Sequence, residues 1–229
     1  AGLSRQTRLD PAQAAALRGT VFLEGQAPAP RPLKIDAFPA CMAHHEKPPV
    51  FENFLVEDGR VRNVVVYLRR GLPQGMTFPA PGGRPGLDQE GCVFVPHVQV
   101  VRAGQTVLVD SADEEAHNIR TLSRRNPALN FNMPPHEKGR TLRFDRAEMP
   151  PVKVKCDVHP WMGAWIAVLD HPFAAVTAAD GTFEIRGIPP GEYTVRAWHE
   201  ELGTLEKKVA LAPRAEATLD FTLKAPSED

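Results

Sequence analysis

Apolar residues along this chain come in short bursts separated by turn-forming residues, rather than in stripes of helical period. Gly19-Thr-Val-Phe-Leu23 reads as a strand, and Asn63-Val-Val-Val-Tyr-Leu68 is a continuous apolar run suited to a buried one. Cys92–Val95, Val98–Val101, Thr106–Val109, Thr141–Phe144, Val152–Lys155 and Ala164–Leu169 form a second series, several with the strict alternation of half-buried strands. A third series closes the chain. Ala175–Ile185 contains an Asp180-Gly181 turn, Gly187–Val195 contains a Pro-Pro-Gly turn, and Val209–Leu211 and Ala217–Leu223 follow; together they pattern as a small β-sandwich. The exception is the start. Asp10 can cap, Pro11 suits a first helical position and an alanine run extends to Leu17, so residues 1–17 are expected to form a short helix or an arm.

Composition agrees with an all-β class. The chain has 229 residues, with 23 Pro, 17 Gly and a formal charge of −1 from 27 basic and 28 acidic side chains. That length supports one large domain or two small ones. The balanced charge argues against nucleic acid or an anionic membrane as partner, and no apolar run approaches the roughly 18 residues of a membrane span. The turn-rich stretch 71–90 is where a domain crossing is expected. The sequence starts at Ala1, as a mature exported protein would, so a periplasmic or extracellular location is expected.

The candidate chemistry is concentrated in Cys156-Asp-Val-His159-Pro-Trp-Met162, a loop between two strand-like runs. A soft thiolate, imidazoles and a weak axial thioether together suit mononuclear electron-transfer copper. The second imidazole would come from His117, at the end of another strand, and Asn118 beside it could hydrogen-bond to the cysteine loop. The expected ligands are therefore His117, Cys156 and His159 in a plane with Met162 on the axis, holding one copper per chain. Zinc also takes Cys and His, but it usually recruits more of them than this loop offers.

These residues carry a resemblance. Residues 92–169, with the loop Cys156–Met162 and the pair His117-Asn118, resemble amicyanin- and plastocyanin-like cupredoxins. The resemblance implies a Greek-key β-barrel with a type 1 copper near one end. Residues 172–223, with Asp180-Gly181-Thr-Phe183, Gly187-Ile-Pro-Pro-Gly191 and Tyr193-Thr-Val195, resemble the carboxypeptidase-regulatory-like sandwich. Such modules open with strands like Gly19–Leu23 and Val64–Leu68. The implied organisation is an arm at 1–17, a discontinuous sandwich at 18–72 plus 172–224, and a cupredoxin domain at 88–170, inserted in or joined to the sandwich. The combination is similar to bacterial exported proteins of the methylamine-utilisation type.

The function implied is transfer of single electrons between redox partners, without catalysis. A partner would dock near His159 and Trp161, with Trp165 in the core. Two alternatives remain: copper handling, as a chaperone or sensor, and an enzyme with an open copper position. Cys41 and Cys92 are an even pair, open to reading as a disulfide or as two separate buried thiols. If they pair, His44, His45 and His97 come near one another as a second metal site, with His136 and His199 as further candidates. Asp113, Glu114 and Glu115 read as a charge run, solvated or steering a basic partner, and the long polar stretch 121–140 could cover the copper face.

Overall fold

A computed structural model describes residues 10–35, 38–79 and 81–226. The described chain is nearly all β, as expected: its longest helix is the single turn Pro39–Met42, and its strands form four sheets. It divides into two compact units. The first is drawn from Ala1–Pro28, Asn53–Pro79 and His171–Asp229, the second from Ala29–Glu52 and Ala80–Asp170.

In the first unit, one sheet runs Thr182–Ile188, Ala15–Glu24, Arg60–Val61, Val56–Glu57. The strands Glu216–Thr218 and Phe221–Lys224 also pair, in parallel, with Ala15–Glu24. The other sheet runs Ala174–Val176, Val65–Arg70, Gly191–His199, Gly203–Leu211. Leu17, Val21, Val66, Leu68, Ile185, Val195 and Phe221 are buried in one cluster, each such side chain contributing about 1.5–3 kcal/mol when fully removed from water.

The helix expected before residue 17 is replaced by strand. Asp10 does cap, its carboxylate accepting the Ala12 N–H at 3.0 Å, but the turn it starts ends at Gln13. Ala15, Ala16 and Leu17 are buried at the head of Ala15–Glu24, where Ala15 pairs with Ile188 and Leu17 with Ile185. Helix propensities differ by only up to about 0.7 kcal/mol per ordinary residue, less than the ladder and the burial supply together. Residues 1–9 of the expected arm lie outside the described residues.

The second unit has a five-stranded sheet in the order Asn130–Met133, His117–Leu122, Glu148–Lys155, Gly163–Leu169, Val98–Arg102. A four-stranded sheet runs Arg140–Arg143, Thr106–Ser111, Gly86–Glu90, Val93–Val95. Alternation along Thr106–Ser111 buries Val107, Val109 and Ser111, and Val107 and Val109 pack in one core with Ile119, Met133, Val152, Val154 and Ile166. The sheets are not closed into a hydrogen-bonded barrel, so the arrangement is two sheets over a core.

One boundary differs from the sequence reading. Residues 29–52, expected in the sandwich, belong to the second unit. Leu33, Ile35 and Cys41 are buried in that unit's core, and Cys41 is disulfide-bonded to Cys92. The Pro-rich stretch before them carries no periodic signal that would assign it to either core.

Candidate metal centre

Three adjacent strands of the second unit converge on one end. His117 opens the strand His117–Leu122, which pairs with Glu148–Lys155, and Cys156 follows directly from the latter. The loop Cys156–Met162 returns the chain into Gly163–Leu169, and the pairing of Lys155 with Gly163 pinches it shut. Inside the loop, the Met162 N–H donates to the His159 carbonyl at 3.0 Å and the Cys156 N–H to the Met162 carbonyl at 3.2 Å. All four expected ligand residues are buried: His117, His159 and Met162 at 1% exposure and Cys156 at 2%.

One ligand atom each from His117, Cys156 and His159 lies within 4.8 Å of the other two. His117 Nδ1 faces His159 Nδ1 at 3.0 Å, and Cys156 Sγ is 4.0 Å from His159 Nδ1. The Cys156 sulfur accepts the backbone N–H of Asn118 at 3.3 Å and of His159 at 3.4 Å. The Asn118 side-chain NH2 donates to Asn130 Oδ1 at 2.6 Å and to the Phe131 carbonyl at 3.2 Å, so the residue beside His117 is held from the neighbouring strand.

Asp113, expected in a solvated or steering charge run, is instead buried at 1% exposure. Its carboxylate accepts three hydrogen bonds: from the Gly91 N–H at 2.6 Å, the Cys92 N–H at 2.9 Å and His117 Nε2 at 2.8 Å. Gly91 and Cys92 form the two-residue turn between Gly86–Glu90 and Val93–Val95, both with positive φ, at 64° and 57°. That conformation aims successive amides at one anion. A Cβ at Gly91 would lie 2.5 Å from His45 Nε2, so a larger residue there would displace the His45 ring. With Nε2 committed to Asp113, Nδ1 is the nitrogen His117 presents to Cys156 and His159.

The ionisations follow from these contacts. Burial opposes the His117 imidazolium, but hydrogen bonds to Asp113 and Cys156 outweigh it and push its pKa up to about 9. Burial would raise Cys156 and Asp113, yet both are held below their ordinary values, Cys156 by His117 and the backbone amides of His159 and Asn118, Asp113 by His117 and the turn amides. His159 is depressed, first by burial and then by the positive charge of His117. The hydrogen bonds thus favour the ionised sulfur, and the His117 proton, held between Asp113 and Cys156, must leave before Nδ1 can act as a donor.

Several expectations change here. His159 has no exposed edge: the Phe38 ring stands edge-on to it at 5.3 Å, the Trp161 ring lies at 5.1 Å, and both Cys41 and Cys92 sulfurs are grouped within 4.8 Å of one of its nitrogens. Trp161 is half-buried, its Nε1–H donating to the Cys92 carbonyl at 3.0 Å. Trp165, expected in the core, is half-buried under the Lys153 ammonium, 5.1 Å from its ring. The cover over His159 comes from the segment around Phe38 and Cys41, whereas in the stretch 121–140 residues 123–126 fold around Glu148. His45 is bonded to the Gly91 carbonyl at 2.8 Å and His97 to the Gly163 carbonyl at 3.0 Å. Among the described residues, no grouping of three potential ligands includes His44, His45, His97, His136 or His199. The sequence does not announce the places of Asp113 and Phe38 beside His117 and His159. Asp113 stands in an acidic run with no apolar alternation to mark it as buried, and Phe38 is separated from Cys156 by more than a hundred residues.

A family model of the carboxypeptidase regulatory-like domain matches residues 155–224, less than half of the chain. No curated protein matches the sequence. Among solved structures, a copper-containing nitrite reductase from Thermus scotoductus SA-01 is similar at 18% identity and a TM-score of 0.35, over 44% of this chain and 26% of that one. An oxidised amicyanin variant is similar at 18% identity and a TM-score of 0.34, over 45% of this chain and 98% of that one. A purple cupredoxin from Nitrosopumilus maritimus is similar at 21% identity and a TM-score of 0.30, over 37% of this chain and 99% of that one. This chain spans about a quarter of the nitrite reductase.

Proposed function

We propose that this chain is an exported copper protein that carries single electrons between redox partners through one type 1 site. The observation that carries the reading is the convergence of His117, Cys156 and His159, each nearly fully buried, with ligand atoms within 4.8 Å. A thiolate with two imidazoles fits copper, and Met162 in the same closed loop is the remaining candidate ligand. His117, Cys156, His159 and Met162 would hold the metal, which when bound supplies reversible one-electron exchange.

The protein's own residues do the rest. Asp113 fixes the orientation of His117, the Asn118 and His159 amides stabilise the sulfur anion, and burial excludes water, so the donors change little between charge states. Because His159 is covered, a partner would approach over half-buried Trp161 and exposed Val158, which is 51% exposed beside it. The intact disulfide supports an oxidising compartment, periplasmic or extracellular. Among the described residues no helix is long and apolar enough to cross a membrane. Burial of the donors favours a carrier over an enzyme with an open position.

The test is Cu(II) loading followed by visible and electron paramagnetic resonance spectra, beside Cys156→Ser. An intense thiolate-to-copper band with narrow hyperfine splitting, absent in the variant, is the expected result. A pale tetragonal signal indifferent to the substitution would sink the reading.

A further inference from the structure

The Cys41–Cys92 bridge lies against the candidate metal centre, and the electron-carrier reading makes no use of that placement. Both half-cystines are fully buried. Their sulfurs and one ring nitrogen of His159 fall within 4.8 Å of one another, and the Cys92 sulfur forms a grouping of the same span with Asp113 and His117. A disulfide is uncharged and binds metals weakly, whereas the two thiols it yields can ionise into soft, anionic donors of the kind that select monovalent copper.

Reduction would not leave the two cysteines free to drift apart. His45 Nε2 is bonded to the Gly91 carbonyl at 2.8 Å, tying the segment after Cys41 to the turn that carries Cys92. Trp161 Nε1 donates to the Cys92 carbonyl at 3.0 Å, and the Phe38 ring packs edge-on against Trp161 at 4.9 Å, tying the segment before Cys41 to the same place. Cys41 sits on the short helix Pro39–Met42, whose Cα lies 5.4 Å from that of Cys92. These contacts on both sides of the bridge do not include the bond between the sulfurs, so they would hold the two cysteines near each other after its reduction.

We propose that two-electron reduction of Cys41–Cys92 creates a second metal site, in which the Cys41 and Cys92 thiolates hold one Cu(I) beside His159. In the first step a dithiol reductant gives up two electrons and two protons; the S–S bond breaks, two cysteine thiols form and the reductant becomes a disulfide. In the second, Cu(I) displaces the two thiol protons to solvent with no change in its own charge state. The site goes beyond the electron-carrier reading and needs no copper at Cys156. It would let the same chain take up or release copper according to the thiol state of its surroundings.

The experiment counts Cu(I) retained by the full chain against the chromophoric chelator bicinchoninate, anaerobically. Wild type and Cys156→Ser are each measured as isolated and after treatment with dithiothreitol and its removal, with thiols titrated in parallel. Expected for Cys156→Ser is none retained in the disulfide form and one per chain in the dithiol form, and for wild type a rise from one to two. The gain should vanish when Cys41→Ser is added. Two new thiols with no added Cu(I) would overturn the proposal, as would thiols that appear only when the β-sheet circular dichroism is lost. Wild type that retains no Cu(I) before reduction counts against the electron carrier alone, since the difference between dithiol and disulfide forms is read independently of it.

Discussion

Among the described residues, the buried polar side chains of the first unit are Asn63, Thr177, His171 and His199; those of the second include Asp113, Glu148, His117 and His159. The first unit's group contains no carboxylate. Thr177 is typical of it: its hydroxyl donates to the Val61 carbonyl at 2.9 Å and accepts the Val64 N–H at 3.0 Å, a neutral stitch between strands. In the second unit two buried carboxylates each gather several donors. Asp113 holds His117, an expected ligand, and Glu148 accepts from Ser123 Oγ at 2.6 Å, the Arg124 N–H at 2.6 Å and Asn126 Nδ2 at 2.9 Å. Burying charge costs free energy unless it is well paired, and in both cases the donors gathered around the carboxylate supply that pairing.

The largest effect is expected in the apolar core of the first unit. Phe221 is fully buried there beside Phe183, and Phe221→Ala is expected to cost about 3–5 kcal/mol, measured by denaturant unfolding. If the units divide the labour as described, the copper band per folded molecule stays unchanged. A smaller loss is expected from Glu148→Gln, about 2 kcal/mol, because the charge-assisted bonds weaken and an amide NH2 meets other donors. Burial would raise the Glu148 pKa, but the Arg124 and Arg125 amides, Ser123 and Asn126 outweigh it and hold it below the ordinary 4.5. Its contribution is thus fully present above the unfolded value and is lost as pH falls through the lower folded one. Acid titration of stability in wild type, flattened in Glu148→Gln across that window, checks the sign.

Asp113→Asn acts on the candidate centre itself. If His117 is a copper ligand as proposed, the carboxylate makes it a more basic one, so removing it should weaken copper binding about 10–100-fold and raise the reduction potential, read by chelator competition and voltammetry. The affinity is best measured above pH 9. Below about 9 the wild-type His117 proton competes with the metal, and the variant, having lost that proton's main partner, should show the competition only at lower pH. The smallest effect belongs to the surface. Glu184→Gln removes the pairs with Arg18 and with Arg186 at 2.8 Å, on side chains 32% to 67% exposed, and should leave the denaturant midpoint almost unchanged, because solvent screens such pairs.

Much of this contrast was legible in the amino-acid order. Strands with period-two alternation, such as Thr106–Ser111, and the Asp180-Gly181 turn announce themselves because one face or one turn type dictates the residue. The Cys156–Met162 loop is legible because its donor types are unusual together. The rest depended on long-range partners. Ala15–Leu17 reads as helix until Thr182–Ile188 pairs with it. Asp113 reads as surface charge until a turn of two positive-φ residues, Gly91 and Cys92, presents its amides. Phe38 reads as an incidental ring in a Pro-rich stretch until the bond from Cys41 to Cys92 places it against His159.

The chain's two separate visits to the second unit set a limit on dissecting it. A gene fragment limited to residues 80–170, the longer of the two stretches in the second unit, would encode every expected ligand and still be a different molecule. It would lack Phe38 and Cys41, leaving Cys92 a lone thiol and the far side of His159 open to solvent. Whatever such a fragment displayed, in colour, exchange rate or reactivity toward small anions, would describe an unshuttered version of the centre, and only a piece that begins near residue 29 and keeps the intervening strands would report on the one nature assembled.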